Sequence, residues 1–399
     1  MAEKTSIVIL GAGGAGVATA QALDKGLNPA NHTLTLVSNT DYYRHHPAAL
    51  RAVVTSEGNL EKEMCIPFDR VFGKGYRDGK GRVGSVKYGQ VDRVEELEAG
   101  QGGYVVFNNG ERINWDILVI ATGSEWNGPL AHWPDHLSEI PKFMEGWREK
   151  FATAKSIAVV GSGAVGSELA GEIRDFYPST EVTVVHKQHL LLNSTYPDAY
   201  RQRITDDLKN RNVRVLTEDS VNGLTAGLLD GTDGVQPGRK ITTAKGVQLS
   251  AELIIPTTGR RGVRTHFVQP DSAPSISKAL RAGGYLDVKD TLQLTSNPNV
   301  FAAGDVVALA EQHTLIKAGS HAGIVAGNIL SLLRTPNGPL KNYTKATDMI
   351  LVTNGRYGGA AYFDFFTIFG HPFILGSWFA GMVKGRGLLV GMAKSSLNQ

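Results

Sequence analysis

The stretch SIVILGAGGAG, residues 6–16, decides how this chain folds. Residues 7–10 are apolar and mostly β-branched, which is typical of a buried parallel strand. Gly11, Gly13 and Gly16 follow in the spacing GxGxxG. In this motif the first glycine permits a tight turn, the second lets the backbone approach a pyrophosphate, and the third lets the next helix pack closely on the strand. A helix at 17–23 and a strand at 33–37 are predicted next, so the motif stands in its proper context.

The same arrangement recurs 150 residues further along the chain. The apolar run SIAVV at 156–160 enters a second GxGxxG motif at Gly161, Gly163 and Gly166, and a helix to about residue 176 and a strand at 181–185 follow. Three further strands end in the turns ATG (121–123), TTG (257–259) and AAGD (302–305). This order predicts an α/β fold with two Rossmann-like dinucleotide-binding domains, and hence two nucleotides, one tightly held and one exchanging.

The composition excludes several other classes of protein. The 399 residues carry 41 basic and 38 acidic side chains, and the net charge of +3 is too even to predict strong nucleic-acid binding. Glycine is in excess, with 47 residues, as expected of a chain with several obligatory glycine turns. Cys65 is the only cysteine, which excludes an internal disulfide, a CxxC redox pair and a cysteine-rich zinc site; no metal site is predicted.

The two ends of the chain differ in their targeting signals. The N-terminal apolar run is too short for a signal peptide, Ala2 does not permit N-myristoylation, and no run reaches the roughly 18 residues of a spanning helix. The C-terminal region is aromatic and is followed by Lys384, Arg386 and Lys394. Such a segment suits either a membrane-interface surface or a buried interface, between domains or in a homodimer. Its aromatic residues are Tyr357, Tyr362, Phe363, Phe365, Phe366, Phe369, Phe373, Trp378 and Phe379.

Four segments narrow the prediction further: RHHPAALR (44–51), GSE (166–168) with Glu172, EVTVVH (181–186) and LVTNGR (351–356). With the paired glycine motifs, they make nearly the whole chain resemble the two-dinucleotide-binding flavoproteins. Within these it is most similar to the ferroptosis-suppressor family, also described as apoptosis-inducing-factor-like mitochondrion-associated inducers of death. The resemblance implies non-covalent FAD, oxidation of NADH or NADPH, and reduction of a quinone such as ubiquinone at a membrane surface.

Carried over position by position, the resemblance assigns FAD to the first unit and NAD(P)H to the second. Asp305 would accept hydrogen bonds from the ribitol, although a helix cap is its alternative role. The other cofactor-binding positions that the resemblance implies are Gly11, Gly13, Gly16, Arg51, Ala121, Thr122, Gly123, Gly304 and Ala318 around FAD, and Gly161, Gly163, Gly166 and Gly259 around NAD(P)H.

Both units depart from the usual pattern at the ribose-binding position, where an acidic residue normally follows the second strand. The first unit has Ser38 and Asn39 there, so FAD is expected to use these polar side chains or the backbone. The second unit has His186 and Lys187. Because neither would repel a 2′-phosphate, we predict that NADPH is accepted along with NADH.

Four catalytic candidates follow from the resemblance. Glu168 would lie near the flavin–nicotinamide contact, or would simply complement the helix dipole. Lys317 begins a helix aimed at the flavin pyrimidine edge, and relatives carry an apolar residue at this position. Positive potential at the start of that helix would stabilise negative charge on the reduced flavin. Lys345, one position later than the functional lysine of the family, would donate a proton or be merely solvated. His46, with His45, would relay protons to the quinone or only hydrogen-bond within its loop.

The order of units predicts an FAD domain at 1–125 and 261–340, an NAD(P)H domain at 126–260, and a C-terminal domain facing quinone and membrane at 341–399. The leading function is an NAD(P)H:quinone oxidoreductase, located in the cytoplasm or peripherally on an intracellular membrane, with the mitochondrial outer membrane and the lipid droplet suggested by resemblance. Two alternatives stay open. One is a reductase of an iron–sulfur protein, and the other is a redox-sensing cell-death flavoprotein that binds membrane or DNA.

Overall fold

A five-stranded parallel sheet is formed around the first glycine motif in the computed structural model, which describes residues 4–97, 101–368 and 371–399. The strand Thr5–Leu10 lies in the middle of this first sheet, and Ile7, Val8, Ile9 and Leu10 are completely buried, as expected of a strand covered on both faces. In spatial order the strands are Val300–Ala302, Ile117–Ile120, Thr5–Leu10, His32–Ser38 and Gly84–Tyr88.

Two long helices pack together against the first sheet. Gly14–Gly26 follows the first glycine turn, so it begins three residues earlier than the sequence predicted, and it leads to the strand His32–Ser38. The helix Leu315–Arg334 lies beside it and follows the strand Val300–Ala302. The two N-termini meet, because a methyl group added at Gly14 would collide with the side chain of Leu315.

The second sheet repeats this arrangement with four parallel strands. In spatial order they are Arg214–Thr217, Glu181–His186, Ser156–Val160 and Leu253–Pro256. The helix Ala164–Phe176 follows the second glycine turn, and Ile140–Thr153 and Asp198–Lys209 complete the layer. An antiparallel ribbon of Ser124–Trp126 and Arg260–Val263 connects the two sheets. The predicted α/β fold with two Rossmann-like units is confirmed.

The C-terminal part forms a separate antiparallel sheet of Met349–Asn354, Gly358–Ile368 and His371–Leu375. Its first strand packs on the helix Ala164–Phe176 of the second unit. Of the nine aromatic residues named above, Phe369 and the side chain of Phe366 lie outside the described part of the chain. The segment ends in the helix Ser377–Ala380, a π-helical turn at Gly381–Gly385 and the helix Val390–Ser396.

Smaller elements fill the connections. The helices are His46–Val54, Leu60–Met64, Ala226–Asp230 and Pro274–Lys278, with 3₁₀ turns at Glu57–Asn59, Phe68–Arg70, Pro129–Ala131, Leu137–Glu139, Ala282–Gly284 and Gly304–Val306. The remaining strands pair as Tyr42–Arg44 with Cys65–Pro67, the central strand Gly103–Phe107 with both Val91–Glu96 and Arg112–Trp115, and Lys240–Thr242 with Gln248–Ser250. Every strand of the first sheet falls within 1–125 and 261–340, and every strand of the second within 126–260.

Candidate active site

The two glycine turns have the same geometry and leave the same open space. Gly11 and Gly161 have φ angles of +99° and +97°, a region that favours glycine. A methyl group at Gly16 or Gly166 would overlap the carbonyl of the first glycine of its own turn, which explains the third glycine.

The middle glycines, Gly13 and Gly163, each precede the first residue of a helix, and an added Cβ there would meet no atom within 4 Å. No side chain caps either helix. Each turn therefore presents uncapped backbone N–H groups to a space that would suit a pyrophosphate.

Most positions predicted around the first nucleotide converge on the first turn. A methyl at Gly11 would collide with the carbonyl of Ala121, and one at Gly304 would lie 3.0 Å from Ala15 and 3.9 Å from Ala318. Thr122 donates its hydroxyl to the carbonyl of Arg264, whose N–H donates to Gly123 at 3.0 Å. The carboxylate of Asp305 accepts a hydrogen bond from Ser124 at 2.5 Å. These residues surround a cradle of the kind that FAD requires.

The ribose-binding position of the first unit is already hydrogen-bonded within the protein. Ser38 donates its hydroxyl to the carbonyl of Thr40 at 2.7 Å, and Asn39 donates its amide to Asp135 at 3.1 Å. Asp135 thus brings a carboxylate to the place where the sequence lacks one. It comes from a distant part of the chain, so no local spacing could have shown it.

In the second unit, His186 supports the glycine turn. Its Nδ1 accepts from the N–H of Ser162 at 3.1 Å, so its Nε2 carries the proton and donates to the carbonyl of Leu192 at 3.2 Å. Burial lowers the pKa of His186, which keeps the ring neutral. Lys187 is exposed, and it is therefore the residue of this pair that can supply a cation to a nucleotide. Gly259 has a φ of +99° and faces open space.

Glu168 lies where the second unit meets the C-terminal segment. Its carboxylate accepts from the N–H of Thr353 at 3.0 Å and from Lys384 Nζ at 2.5 Å, and both charged side chains are largely buried. Sequence reasoning had connected Lys384 only with the basic end of the aromatic segment. The 216 residues between the two partners leave no local signal for this pair.

Lys317 belongs to a second buried network. Its side chain is 2% exposed and pairs with Asp348 and, at 3.6 Å, with Glu311. Glu311 accepts a hydrogen bond from Tyr343 at 2.9 Å and faces Nε2 of His321 at 3.0 Å. Glu311, Asp348 and His321 were all missed from the sequence, where nothing distinguishes them from surface polar residues.

His321 connects this network with the first unit. Its Nδ1 accepts from the N–H of Gly304 at 3.1 Å, so the proton of the neutral ring lies on Nε2. Burial lowers the pKa of His321 despite the nearby carboxylate of Glu311. The network therefore reaches the turn that carries Asp305.

Lys345 lies at the outer end of the same network and not beside Glu168. Its side chain is 54% exposed, and its Nζ is 3.2 Å from Asp348. Burial would raise the pKa of Asp348, but hydrogen bonds from Lys317 and Lys345 lower it below its usual value. Any role for Lys345 in proton transfer would thus begin at the surface.

The two histidines before Pro47 have different environments. His45 is buried and hydrogen-bonds the carbonyl of Leu388 through Nε2 at 2.7 Å. His46 is exposed, but the protein around it disfavours the charged ring and, with the nearby charge of Arg44, lowers its pKa to about 3. It is neutral at physiological pH, so a proton relay through His46 would have to use the neutral imidazole.

Arg51 and Cys65 are both engaged in the protein interior. Arg51 donates two hydrogen bonds of 2.7 Å to Glu172, and this buried pair joins the helices His46–Val54 and Ala164–Phe176. The guanidinium of Arg51, predicted to bind cofactor, is thus engaged in an ion pair between the two units. Cys65 is buried, and desolvation raises the pKa of its thiol to about 12, so it is unreactive at neutral pH.

Comparisons with known proteins agree with this arrangement. Residues 5–323 match the family model described as pyridine nucleotide-disulphide oxidoreductase. The FAD-dependent oxidoreductase FVFD30 of Flammulina velutipes is 34% identical over 341 residues, which cover 85% of this chain and 96% of that protein. Ferroptosis suppressor protein 1 of Homo sapiens is 26% identical over 396 residues, covering 98% and 96%. The sulfide:quinone oxidoreductase of Aquifex aeolicus superposes with a TM-score of 0.72 at 16% identity, covering 99% and 91%, and this shows the shared fold.

Proposed function

The chain belongs to the pyridine nucleotide-disulphide oxidoreductase family and is an FAD-dependent oxidoreductase that uses NAD(P)H, and we propose that its electron acceptor is a quinone. The family name does not describe its chemistry, because the sequence has no second cysteine and Cys65 is buried. FAD, when bound, accepts a hydride from NAD(P)H and passes two electrons onward. Without a thiol relay, the acceptor has to reach the site itself.

The contact between Glu168 and Lys384 carries this proposal. It brings a cation from the aromatic C-terminal segment to the start of a helix whose glycine turn would hold the nicotinamide nucleotide. Reduction of a quinone by NAD(P)H takes up one proton from solvent, since the hydride supplies only one of the two hydrogens of the quinol. The ammonium group of Lys384 lies in a largely buried position against Glu168, where it can donate a proton to a quinone that reaches the site.

Lys317 and Lys345 have supporting roles in this proposal. Lys317 lies in the first turn of the helix Leu315–Arg334, and its buried ammonium group, paired with Asp348 and Glu311, holds the C-terminal segment against the start of that helix. Lys345 and Asp348 connect that interior with solvent. His46 is exposed and would contact a ligand as a neutral ring.

The test starts from the purified holoenzyme under anaerobic conditions. NADH should bleach the flavin absorbance, and a short-chain ubiquinone should restore it. Lys384→Met should slow the quinone step at least tenfold and change its pH dependence, while flavin content and the NADH step are preserved. Lys394→Met is the matched control, because Lys394 is another C-terminal lysine paired with a glutamate, Glu63. The decisive comparison offers the bleached flavin either quinone or an iron–sulfur protein of matched reduction potential. If the iron–sulfur protein restores the flavin absorbance and quinone does not, this function is excluded.

The acceptor also suggests where the protein acts, and we propose peripheral contact with a membrane through the C-terminal surface. Trp378 is 78% exposed, and Met382, Arg386 and Met392 of the same segment are also exposed. Apolar and cationic side chains together suit an anionic bilayer interface. Among the described residues, no helix combines the length and apolar character that crossing a bilayer requires.

Co-sedimentation with phosphatidylcholine vesicles, with and without 20 mol% phosphatidylserine (about one anionic lipid in five), tests this contact. Trp378→Ser should reduce binding several-fold. Trp126→Ser is the control, because Trp126 is also exposed but lies on the ribbon between the two sheets. Equal binding by both variants would contradict the proposed surface.

A further inference from the structure

His45 is a buried histidine that directs one ring nitrogen at a distant part of the chain. It immediately precedes the helix His46–Val54, but its side chain does not cap that helix. The residue is 2% exposed, and its Nε2 lies 2.7 Å from the carbonyl oxygen of Leu388, so Nε2 carries the proton and donates it. Nδ1 is also buried and has no hydrogen-bond partner among the residues described. A buried polar group left unsatisfied in this way calls for an explanation.

The carbonyl that accepts from His45 belongs to a strained turn. Leu388 and Leu389 both have positive φ angles, +50° and +58°, in the left-handed region that residues other than glycine rarely adopt. Two such residues in succession persist only where the surrounding structure fixes them. The side chain of Leu388 is buried, and the hydrogen bond from His45 fixes its carbonyl. His45 is thus one of the groups that keep this turn in its conformation.

The strained turn adjoins the lysine that contacts Glu168. The N–H of Leu388 donates to the carbonyl of Lys384 at 2.7 Å. Lys384 lies in the π-helical turn Gly381–Gly385, a form that is frequent at functional sites, and its Nζ is 2.5 Å from Glu168. An unbroken series of contacts therefore runs from the ring of His45 through Leu388 and Lys384 to the carboxylate on the second unit.

The same turn is the place where the C-terminal segment passes from the second unit to the first. Before the turn, the segment contacts Glu168 of the second unit. After it, the helix Val390–Ser396 packs on the first unit, and Leu397 is completely buried in the core of that unit. His45 belongs to the first unit and contacts the segment at the crossing point. Its hydrogen bond is therefore placed to determine where the segment lies relative to both units.

We propose that His45 is a positioning residue, which holds the turn at Leu388 and thereby keeps Lys384 in place beside Glu168. The inference deepens the proposed function and rests on it, because Lys384 is the proton donor of that proposal. A backbone carbonyl does not exchange protons, so the hydrogen bond from Nε2 fixes geometry and transfers no charge. Misplacing a catalytic group by about 1 Å is enough to slow a reaction by up to about a hundredfold.

The test compares two replacements of His45 in holoenzymes of equal flavin content. His45→Leu removes the donor and keeps an apolar side chain in the buried space, whereas His45→Gln supplies an amide N–H that can reach the same carbonyl. His45→Leu should lower kcat for quinone reduction about tenfold or more, while KM for NADH and the rate of flavin reduction by NADH stay unchanged. It should also speed hydrogen–deuterium exchange in peptides covering residues 384–389 by about tenfold. His45→Gln should restore both quantities to within about threefold of the wild type.

Tyr177→Phe is the matched control. Tyr177 also donates a side-chain hydrogen bond to a backbone carbonyl, that of Val54 at 3.0 Å, at the other end of the helix His46–Val54. Its loss should change neither quinone reduction nor exchange at residues 384–389. If His45→Leu does not fold, His45→Asn carries the same comparison, because its shorter amide does not reach the carbonyl of Leu388.

Two results would overturn the inference. One is a His45→Leu variant whose exchange at residues 384–389 and whose kcat for quinone equal those of the Tyr177→Phe control. The other is a His45→Gln variant that is as slow as His45→Leu although its exchange is restored, which would assign proton transfer to the ring of His45. Failure of the proposed function is a separate outcome. If Lys384→Met reduces quinone at the wild-type rate, Lys384 is not the donor, while the exchange measurement still supports or contradicts the hold of His45 on the turn.

Discussion

Replacing Gly163 by alanine should weaken NAD(P)H binding while leaving the second unit folded. Gly163 has φ −68° and ψ −165°, which any residue adopts, and an added Cβ would meet no protein atom within 4 Å. The fold therefore does not require glycine at this position. The requirement comes from the ligand, because the open space beside Gly163 is where the backbone must approach a pyrophosphate.

The size of each effect follows from the geometry. Alanine should stabilise the folded chain by about 0.4–1 kcal/mol, because it lowers the conformational entropy of the unfolded chain. It is also a poorer N-cap than glycine, which destabilises the helix by a similar amount. The two terms nearly cancel, so the unfolding midpoint should change by no more than about 3 °C. A methyl group forced against the phosphates costs about 1–3 kcal/mol, which corresponds to a roughly fivefold to hundredfold weaker binding of NAD(P)H.

The assay is anaerobic single-turnover reduction of the holoenzyme at increasing NADH concentrations, together with thermal unfolding. Gly166→Ala is the structural contrast: its Cβ would lie 2.6 Å from Thr257 Oγ1 and overlap the Gly161 carbonyl, so stability itself should fall. Gly146→Ala, in the helix Ile140–Thr153 with no neighbour within 4 Å, should alter neither NADH binding nor fold. Unchanged NADH affinity in Gly163→Ala would refute the assignment of the cradle, and a large loss of stability would refute the geometric reasoning.

Three further outcomes are expected. Lys317→Met should lower the free energy of unfolding by about 3 kcal/mol in urea titrations, because it leaves Glu311 buried without its cation. Combining Lys317→Met with Glu311→Gln should recover part of that loss. If the losses from the two substitutions simply add, the pairing is contradicted. Burial lowers the folded-state pKa of His186 and His321 below 6.5, so the unfolded chain binds more protons as pH falls. Stability should therefore be fully present above pH 6.5 and decline below it, and His186→Gln should reduce this decline in urea midpoints measured between pH 7.5 and about 5. NADPH should serve within about a hundredfold of NADH in kcat/KM, and Lys187→Glu should selectively impair NADPH; a wild-type NADH preference beyond that ratio would be inconsistent with this expectation.

The fold and the cofactors followed from the sequence because their signals are local. Each glycine turn needs three glycines within six residues, between an apolar strand and a helix, and the close contacts at Gly16 and Gly166 show why other residues would not fit. These short-range requirements were enough to predict the α/β fold and two bound nucleotides, and the family resemblance identified these as FAD and NAD(P)H. They also located the open cradles at Gly13 and Gly163 before any contact was known.

The environments of individual site residues depended on contacts between distant segments. The family resemblance pointed to Lys345 as the lysine of the C-terminal region, yet folding brings Lys384 to Glu168 and leaves Lys345 at the surface. His186 follows its strand as expected, but the chain bends back so that its ring supports the glycine turn.

Arg51 and Arg44 show the physical reason most clearly. The two arginines are seven positions apart, and nothing in their local sequence shows which one has an acidic partner. The fold pairs Arg51 with Glu172 across two units and places the guanidinium of Arg44 over the ring of Trp133, without a carboxylate within 4 Å among the residues described. A turn is determined by the residues that form it, whereas the charge state and availability of a side chain are determined by whatever the rest of the chain places beside it.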